Sequence, residues 1–313
     1  MATTVIWKSL SSCAGCEISL LNLGESVLDV LAKLDILHCP LLVDNKYSEP
    51  LDTSRRIDLP RARIGIVSGG VRSQRNLEVL LEVRSKVEVL ISLGTCAATG
   101  GLPGLSNLCG ARALTDFSFE QSPTARCTQK PNPAVGGIPA MLPEFTPLTR
   151  HVAVDVVVPG CPPHPDWIEE AIAAVLEGRS PVLPDRSVCS VCPAVSAVSG
   201  GVSKAPLRSL RAPLGDPTAP LSAMPCFLAQ GYVCLGPVTR AGCGGREGAP
   251  QCIAGRAPCR GCYGPVRADS VASLDFLEAL AVAGHDPAAM PDKPGYLSRF
   301  TGAPKPPSGE KPS

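Results

Sequence analysis

The stretch Val87-Glu88-Val89-Leu90-Ile91-Ser92-Leu93-Gly94-Thr95-Cys96 is the clearest indication of fold class in this 313-residue chain. A short apolar, β-branched run that ends at a glycine is typical of a buried strand. Here a cysteine follows directly after the strand's carboxyl end. Comparable runs recur along the first half of the sequence. The predicted strands are Thr4–Lys8, Ile36–Val43, Arg63–Ser68, Val87–Leu93 and Val152–Val158.

Between these strands the apolar residues change to helical spacing. The predicted helices are Glu17–Leu31, Gln74–Ser85 and Pro165–Leu176. Alternating strands and helices predict an α/β domain with a doubly wound parallel sheet. In such folds ligands bind in the loops beyond the carboxyl ends of the strands. Those loops contain Cys13, Cys16, Cys96 and Cys161.

The remainder of the chain is less regular. Leu102–Leu148 is rich in proline, glycine and polar residues, which predicts a long surface excursion. Val188–Pro265 shows little periodicity, so we expect metal rather than an apolar core to order it. A helix is predicted at Ser270–Ala283. We therefore expect an α/β domain at residues 1–183, a small irregular metal-binding domain at 184–290 and a flexible tail at 291–313.

Charge and hydropathy limit the possible partners. A net charge of +1 gives no basic excess for nucleic acid. We see no export signal, and no apolar run approaches the ~20 residues of a membrane-spanning helix. We therefore expect a cytoplasmic protein that neither binds nucleic acid nor spans a membrane.

The chain contains 15 cysteines and only four histidines. Because the cytosol keeps thiols reduced, a disulfide framework would not persist there. Metal ligation by thiolates is therefore the preferred interpretation. Soft all-thiolate sites select iron–sulfur clusters or zinc.

In the first half, Cys13-Ala14-Gly15-Cys16 lies between a predicted strand and a predicted helix, whose N-terminus stabilises thiolate charge. The same tetrad could also be a thioredoxin-like redox dithiol. Cys96 and Cys161 follow two further strands at the same edge of the sheet. Each alone could be a small buried apolar residue, but together the four supply the ligand count of a cubane cluster.

The second half contributes eight cysteines, enough for two sets of four. They are Cys189, Cys192, Cys226, Cys234, Cys243, Cys252, Cys259 and Cys262. The glycines and prolines around them leave room for an inorganic cluster and for backbone amides that bond its sulfides. Zinc remains an alternative, because paired Cys-x-x-Cys motifs also occur in zinc ribbons.

These motifs, in this order, resemble the small subunit of nickel–iron hydrogenases. The matching elements are Cys13-Ala14-Gly15-Cys16, Gly94-Thr95-Cys96, Pro159-Gly160-Cys161-Pro162-Pro163 and Cys259-Arg260-Gly261-Cys262-Tyr263-Gly264-Pro265. The run Cys226-Phe227-Leu228-Ala229-Gln230-Gly231-Tyr232-Val233-Cys234-Leu235-Gly236-Pro237 is similar to the methyl-viologen-reducing, coenzyme-F420-reducing and sulfhydrogenase types.

The resemblance implies a flavodoxin-like first domain and a relay of electrons from H2 oxidation. The nickel–iron centre would lie on a partner, the large subunit, and the electrons would pass to a further subunit or soluble carrier. It also implies three ligand sets. They are Cys13, Cys16, Cys96 and Cys161 for a proximal cluster; Cys243, Cys252, Cys259 and Cys262 for a medial cluster; and Cys189, Cys192, Cys226 and Cys234 for a distal cluster.

Two departures from the family pattern bear on the cluster type. Many relatives have histidine where Cys189 stands and proline where Cys252 stands, so we expect three [4Fe–4S] clusters here. Oxygen-tolerant relatives have two additional cysteines at positions that correspond to Gly15 and Gly101. The cysteines left without a role are Cys39, Cys109 and Cys127.

Two other functions remain possible on the sequence alone. A zinc or iron–sulfur scaffold, or a hydrogen-sensing subunit, would use the same cysteines without turnover. A quinone-reductase subunit of the respiratory complex shares the first domain, but its usual adjacent cysteine pair is absent here. Such a subunit is also too small to accommodate the segment 189–262.

Overall fold

A computed structural model describes residues 2–43, 58–124, 139–194, 207–210, 216–267 and 271–302 of the chain. The strands are β1 (Thr3–Ser9), β2 (Leu34–His38), β3 (Ala62–Ser68), β4 (Val71–Ser73), β5 (Val87–Leu93), β6 (Met141–Thr146) and β7 (Val156–Val158). The α-helices are α1 (Gly15–Leu21), α2 (Val27–Leu31), α3 (Gln74–Lys86), α4 (Thr95–Thr99), α5 (Gly110–Asp116), α6 (Pro165–Glu177), α7 (Gln251–Ala254), α8 (Ala272–Val282) and α9 (Lys293–Ser298).

Five strands form the central sheet in the order β2-β1-β3-β5-β7, and every pair is parallel. Counted within this sheet alone, the order is that of flavodoxin-like folds. The predicted doubly wound α/β domain is therefore confirmed.

Apolar residues alternate between the two faces of the sheet because successive side chains of a strand point to opposite sides. Trp7 and Ile66 pack on one face with Ile168 of α6. Their neighbours Ile6 and Val67 pack on the other face with residues of α3. Because both faces of the sheet are buried, the sequences of the strands are nearly continuous apolar runs.

Three predicted elements differ from the structure at their ends. The predicted helix Glu17–Leu31 is interrupted, because the N–H groups of Asn22 and Leu23 bond three residues back and close α1. β2 ends at His38, where Cys39 begins a turn that Leu42 and Val43 close.

β7 begins only at Val156, although the strand was predicted from Val152. The N–H groups of His151 and Val152 bond to the Leu148 carbonyl and close a turn there. This local turn thus shortens a run that has strand character throughout.

The prediction of an irregular excursion over Leu102–Leu148 is wrong for much of its described part. It contains a 3-10 helix at Leu102–Leu108, α5 and β6, which pairs antiparallel with β4. The Asn107 side chain fixes β6 by donating to the Phe145 carbonyl (2.9 Å) and accepting from the Phe145 N–H (2.7 Å). This pairing joins residues far apart in sequence, which is why no local pattern revealed it.

The second half also has apolar cores, contrary to the expectation that metal alone orders it. One core contains Val188, Phe227 and Ile253. The other joins Leu235 to Phe276 of α8. The predicted helix at 270–283 is present as α8, whereas the domain boundary at residues 183 and 184 stays a prediction.

The flexible tail does not begin at residue 291 as predicted. Residues 293–298 form α9, Tyr296 and Phe300 are buried, and the Thr99 hydroxyl donates to the Phe300 carbonyl over 2.6 Å. Two apolar aromatic side chains anchor a segment whose composition otherwise resembles a linker. No helix among the described residues is long and apolar enough to cross a membrane.

Candidate functional site

Four cysteines meet at the carboxyl edge of the central sheet. Cys13 and Cys16 follow β1, Cys96 lies in α4 directly after β5, and Cys161 follows β7. Gly94 N–H donates to the Val158 carbonyl and Thr95 N–H to the Gly160 carbonyl, each over 2.8 Å, and these bonds hold two of the loops side by side. We call Cys13, Cys16, Cys96 and Cys161 the proximal group.

The electrostatics of the proximal group reflect the closeness of its thiols. Burial raises the pKa of Cys96 to about 12, and the charges of Cys161 and Cys13 contribute. Burial likewise raises the pKa of Cys16, and further increases come from Glu17, Cys96, Cys161 and Cys13. Both increases favour the neutral form of these thiols. A bound metal would deprotonate them, because a coordinating thiol ionises outright.

Three glycines let the backbone approach the sulfur atoms of the proximal group closely. Gly94 has φ 86°, and a Cβ atom there would lie 2.4 Å from Cys16 Sγ. A Cβ at Gly101 would lie 2.9 Å from Cys96 Sγ, and one at Gly15 would lie 3.4 Å from Cys13 Sγ. The all-thiolate donor set and the absence of side chains at these three glycines fit an iron–sulfur cluster.

A second gathering of thiols comprises Cys189, Cys192, Cys226 and Cys234, which we call the distal group. Burial raises the pKa of Cys189 to about 12, and the charges of Cys234, Cys226 and Cys192 add to this. Gly236 borders the group, because a Cβ there would lie 3.1 Å from Cys189 Sγ and 3.6 Å from Cys234 Sγ. The four cysteines are therefore close enough for their charges to interact, beside an apolar core that contains Val188 and Phe227.

The remaining four cysteines, Cys243, Cys252, Cys259 and Cys262, form the medial group. Burial raises the pKa of Cys262 to about 12, and the charges of Cys243, Cys252 and Cys161 raise it as well. Cys259 lies between two groups. Its pKa is raised chiefly by burial, and the charge of Cys234 in the distal group raises it more than the charge of Cys262 does. The assignment of Cys259 to the medial group stays a prediction.

Within the described ranges, no three Cys, His, Asp or Glu side chains are arranged to hold a single metal ion. The grouping of the thiols rests on their mutual electrostatic influence and, for the proximal and distal groups, on the glycines that lie against their sulfur atoms.

The second half of the chain docks directly onto the proximal loops. Tyr263 is buried, and its hydroxyl accepts a hydrogen bond of 2.5 Å from the His164 N–H. Trp167 Nε1 donates to the Gly242 carbonyl over 2.8 Å. Thr95 Oγ1 donates to the Cys262 carbonyl over 2.5 Å. These contacts bring the medial group next to the proximal group.

Glu17 is buried beside the proximal group. Its Oε1 accepts hydrogen bonds from the hydroxyls of Ser9, over 2.5 Å, and Ser68. The predicted helix begins at Glu17, but the two serine partners come from the ends of β1 and β3. Ser9 and Ser68 reach Glu17 only in the folded sheet, so the sequence does not identify them as its partners.

The cysteines without a predicted role differ in environment. Cys39 is buried in the apolar core. Cys109 is exposed, and Cys127 lies outside the described residues. Thr95, His164 and Tyr263 were not predicted as site residues. Their sequence signal is proximity to a predicted ligand, since Thr95 precedes Cys96, Tyr263 follows Cys262 and His164 lies three positions after Cys161.

Comparison with known proteins gives a consistent result. The family model described as NADH ubiquinone oxidoreductase, 20 Kd subunit, matches residues 13–175. The chain is 34% identical over 301 residues to a subunit of the F420-non-reducing hydrogenase vhu of Methanocaldococcus jannaschii, and the match covers 96% of this chain and 95% of the relative.

Two solved structures extend the comparison. A chain of an NAD+-reducing [NiFe]-hydrogenase in the H2-reduced state is 28% identical, with a TM-score of 0.52 over 59% of this chain and 96% of that chain. The [NiFeSe] hydrogenase of Desulfovibrio vulgaris Hildenborough is 20% identical, with a TM-score of 0.52 over 86% of this chain and 95% of that chain. The second likeness shows a shared fold.

Proposed function

Because this chain belongs to the family of the NADH ubiquinone oxidoreductase 20 kDa subunit and, within it, is a nickel–iron hydrogenase small subunit, we propose that it relays electrons through three [4Fe–4S] clusters. The family match ends at residue 175, in the domain that both kinds of protein share. The hydrogenase relative matches the chain almost end to end. The quinone-reductase interpretation therefore accounts for the first domain only.

The observation that carries this proposal is the continuity of the three thiol groups. Cys161 of the proximal group is near enough to influence the pKa of Cys262 in the medial group. Cys259 in turn donates its N–H to Cys234 Sγ of the distal group over 3.2 Å. Neighbouring groups are thus close to each other, as a chain of electron carriers requires.

We propose the proximal, medial and distal groups as the three ligand sets. When bound, each cluster supplies one-electron chemistry at a potential that burial and hydrogen bonds to sulfur adjust. The protein contributes by excluding water and by directing amides at the sulfurs. Its backbone already does so at Cys234 Sγ, which accepts the Cys259 N–H.

The partner is the large subunit, on which the nickel–iron centre lies. We place the docking surface for this partner on the helices that follow Cys13, because three apolar side chains are exposed there. Ile18 and Leu21 of α1 and Leu28 of α2 are 56%, 46% and 66% exposed. Apolar side chains in such a position favour burial against another protein. H2 would thus be oxidised next to the proximal group, with electrons leaving from the distal group to a further subunit or carrier in the cytoplasm.

The test is metal and sulfide analysis of the complex of small and large subunits, purified without oxygen. We expect four irons and four acid-labile sulfides for each group of four cysteines, and reduction of a dye by H2. Zinc without labile sulfide would contradict the proposal and favour a scaffold. Full iron and sulfide without H2-dependent dye reduction would instead favour a sensor.

A further inference from the structure

Thr95 occupies the junction between the proximal and medial groups. It lies between Gly94 and Cys96, and only 1% of it is exposed. Its N–H donates to the Gly160 carbonyl over 2.8 Å. Its hydroxyl accepts from the Gly160 N–H over 2.9 Å and donates to the Cys262 carbonyl over 2.5 Å. One side chain therefore ties three cysteine-bearing loops together.

We propose that Thr95 is a positioning residue that holds the medial group against the proximal group for electron transfer. The inference rests on the proposed function and adds a residue that is not a ligand. Thr95 is neither oxidised nor reduced, since the electron lost on the proximal side is gained on the medial side. Its hydroxyl proton stays on the oxygen throughout.

Covalent connectivity supports this role. Thr95 is bonded directly to Cys96, and its hydroxyl reaches the carbonyl of Cys262. The route from Cys96 Sγ to Cys262 Sγ therefore consists of covalent bonds interrupted by a single hydrogen bond. Electron tunnelling weakens steeply across gaps without bonds, so a short fixed contact between the two loops is favourable.

The energetics also require a hydroxyl at this position. Valine has the shape of threonine but neither donates nor accepts hydrogen bonds. Thr95→Val would leave the Gly160 N–H and the Cys262 carbonyl without this partner in a buried place. Unpaired buried polar groups are unfavourable, so the two loops would separate or admit water.

A matched control lies one turn further along α4. Thr99 presents its hydroxyl to the same half of the chain, but it donates to the Phe300 carbonyl, over 2.6 Å. Phe300 is not next to any cysteine in the sequence. The Thr99 hydroxyl also donates to the Thr95 carbonyl over 3.2 Å within α4. Thr99→Val therefore removes a tether of the same chemistry from the same helix while the bonds from Thr95 to Gly160 and Cys262 stay in place.

The experiment compares Thr95→Val, Thr95→Ser and Thr99→Val in the purified complex with the large subunit. Iron and labile sulfide are measured first. Backbone hydrogen exchange of the loops at 158–164 and 259–264 then reports the tether without relying on activity. Rapid-freeze electron paramagnetic resonance after H2 addition follows how fast reduction passes from the proximal signal to the others.

For Thr95→Val we expect exchange at Gly160 about tenfold faster, the factor that one buried hydrogen bond contributes. We also expect wild-type reduction of the proximal signal but delayed reduction of the remaining signals. The spin broadening between the proximal and medial signals should weaken. Thr95→Ser, which keeps the hydroxyl, should behave like wild type in all of these measurements. Thr99→Val should speed exchange near residues 296–302 and leave exchange at Gly160 and the reduction of the remaining signals as in wild type. Should valine prevent assembly, Thr95→Ala is measured in the same way.

The inference is overturned if loaded Thr95→Val, or its alanine substitute, shows wild-type exchange and undelayed reduction, or if Thr99→Val causes the same delay. Absence of iron and sulfide from the wild-type complex would instead refute the proposed function. The two failures are therefore distinguishable.

Discussion

The main-chain N–H of Cys259 donates a hydrogen bond to Sγ of Cys234, with 3.2 Å between nitrogen and sulfur. Cys234 is buried, and burial raises the pKa of its thiol to about 12. This bond joins the medial and distal groups, and an amide directed at a cysteine sulfur stabilises negative charge there.

Cys234→Ala should remove one cluster and leave the other two. We expect iron and labile sulfide to fall by about one third, and H2-dependent reduction of the physiological acceptor to be lost, because a distal ligand set would be incomplete. Metal analysis and acceptor assays measure both. Cys39→Ala, at a buried cysteine outside the three groups, should keep full iron. Unchanged iron in the Cys234 variant would exclude it as a ligand.

Cys16→Ala should abolish H2-dependent dye reduction in the assembled complex. The thiol lies at the start of α1 within the proximal group, through which every electron from the large subunit would pass. Cys109→Ser, at an exposed cysteine, is the control and should reduce dye at the wild-type rate. Activity near wild type in the Cys16 variant would argue against the proximal assignment.

Gly94→Ala should displace the proximal thiols. The added Cβ would lie 2.4 Å from Cys16 Sγ, and φ at Gly94 is 86°. We expect loss of proximal iron, together with unfolding at a lower temperature. Gly110→Ala is the matched control, because φ there is 78° and nothing lies within 4 Å of the new Cβ. It should cost only the left-handed backbone energy, about 1–2 kcal/mol, and retain iron. Equal iron content in the two variants would show that crowding at Cys16 does not matter.

Glu170→Gln should destabilise the junction after α6. Arg179 and the Val182 N–H both bond to Glu170, and the Arg179 hydrogen bond holds the pKa of this carboxyl below its usual value. A lowered pKa means that the stabilisation is present above the unfolded-state value of 4.5 and is lost as pH falls through the folded-state value. We expect the variant to lose about 1 kcal/mol of unfolding free energy at neutral pH.

Chemical denaturation at several pH values tests the Glu170 prediction. The difference between Glu170→Gln and wild type should shrink as pH falls below 4.5. Glu177→Gln removes the other carboxylate bonded to Arg179, and the Glu177 side chain is 60% exposed. It should change the free energy of unfolding by less than about 0.5 kcal/mol. A difference that grows with acidity would reverse the assigned sign.

Local sequence patterns were sufficient to specify the parallel sheet and the cysteines that lie at its carboxyl edge. Runs such as Val87–Leu93 are apolar over most of their length because both faces of the sheet are covered, so the local pattern is strong. Cys13 and Cys16 are separated by only two residues, so they lie close together whatever the tertiary packing. The resemblance to a known family could rest on such short-range features alone.

The contacts between distant segments became known only from the tertiary structure. The bond from Thr95 to Cys262, the pairing of β6 with β4 and the docking of the segment around α9 each join residues that are far apart in the chain. Local propensity contains no term for such contacts, because their stability comes from burial and from hydrogen bonds that exist only after the chain has closed long loops. The order of the three thiol groups is set in the same way, since it depends on where the second half of the chain folds back onto the first.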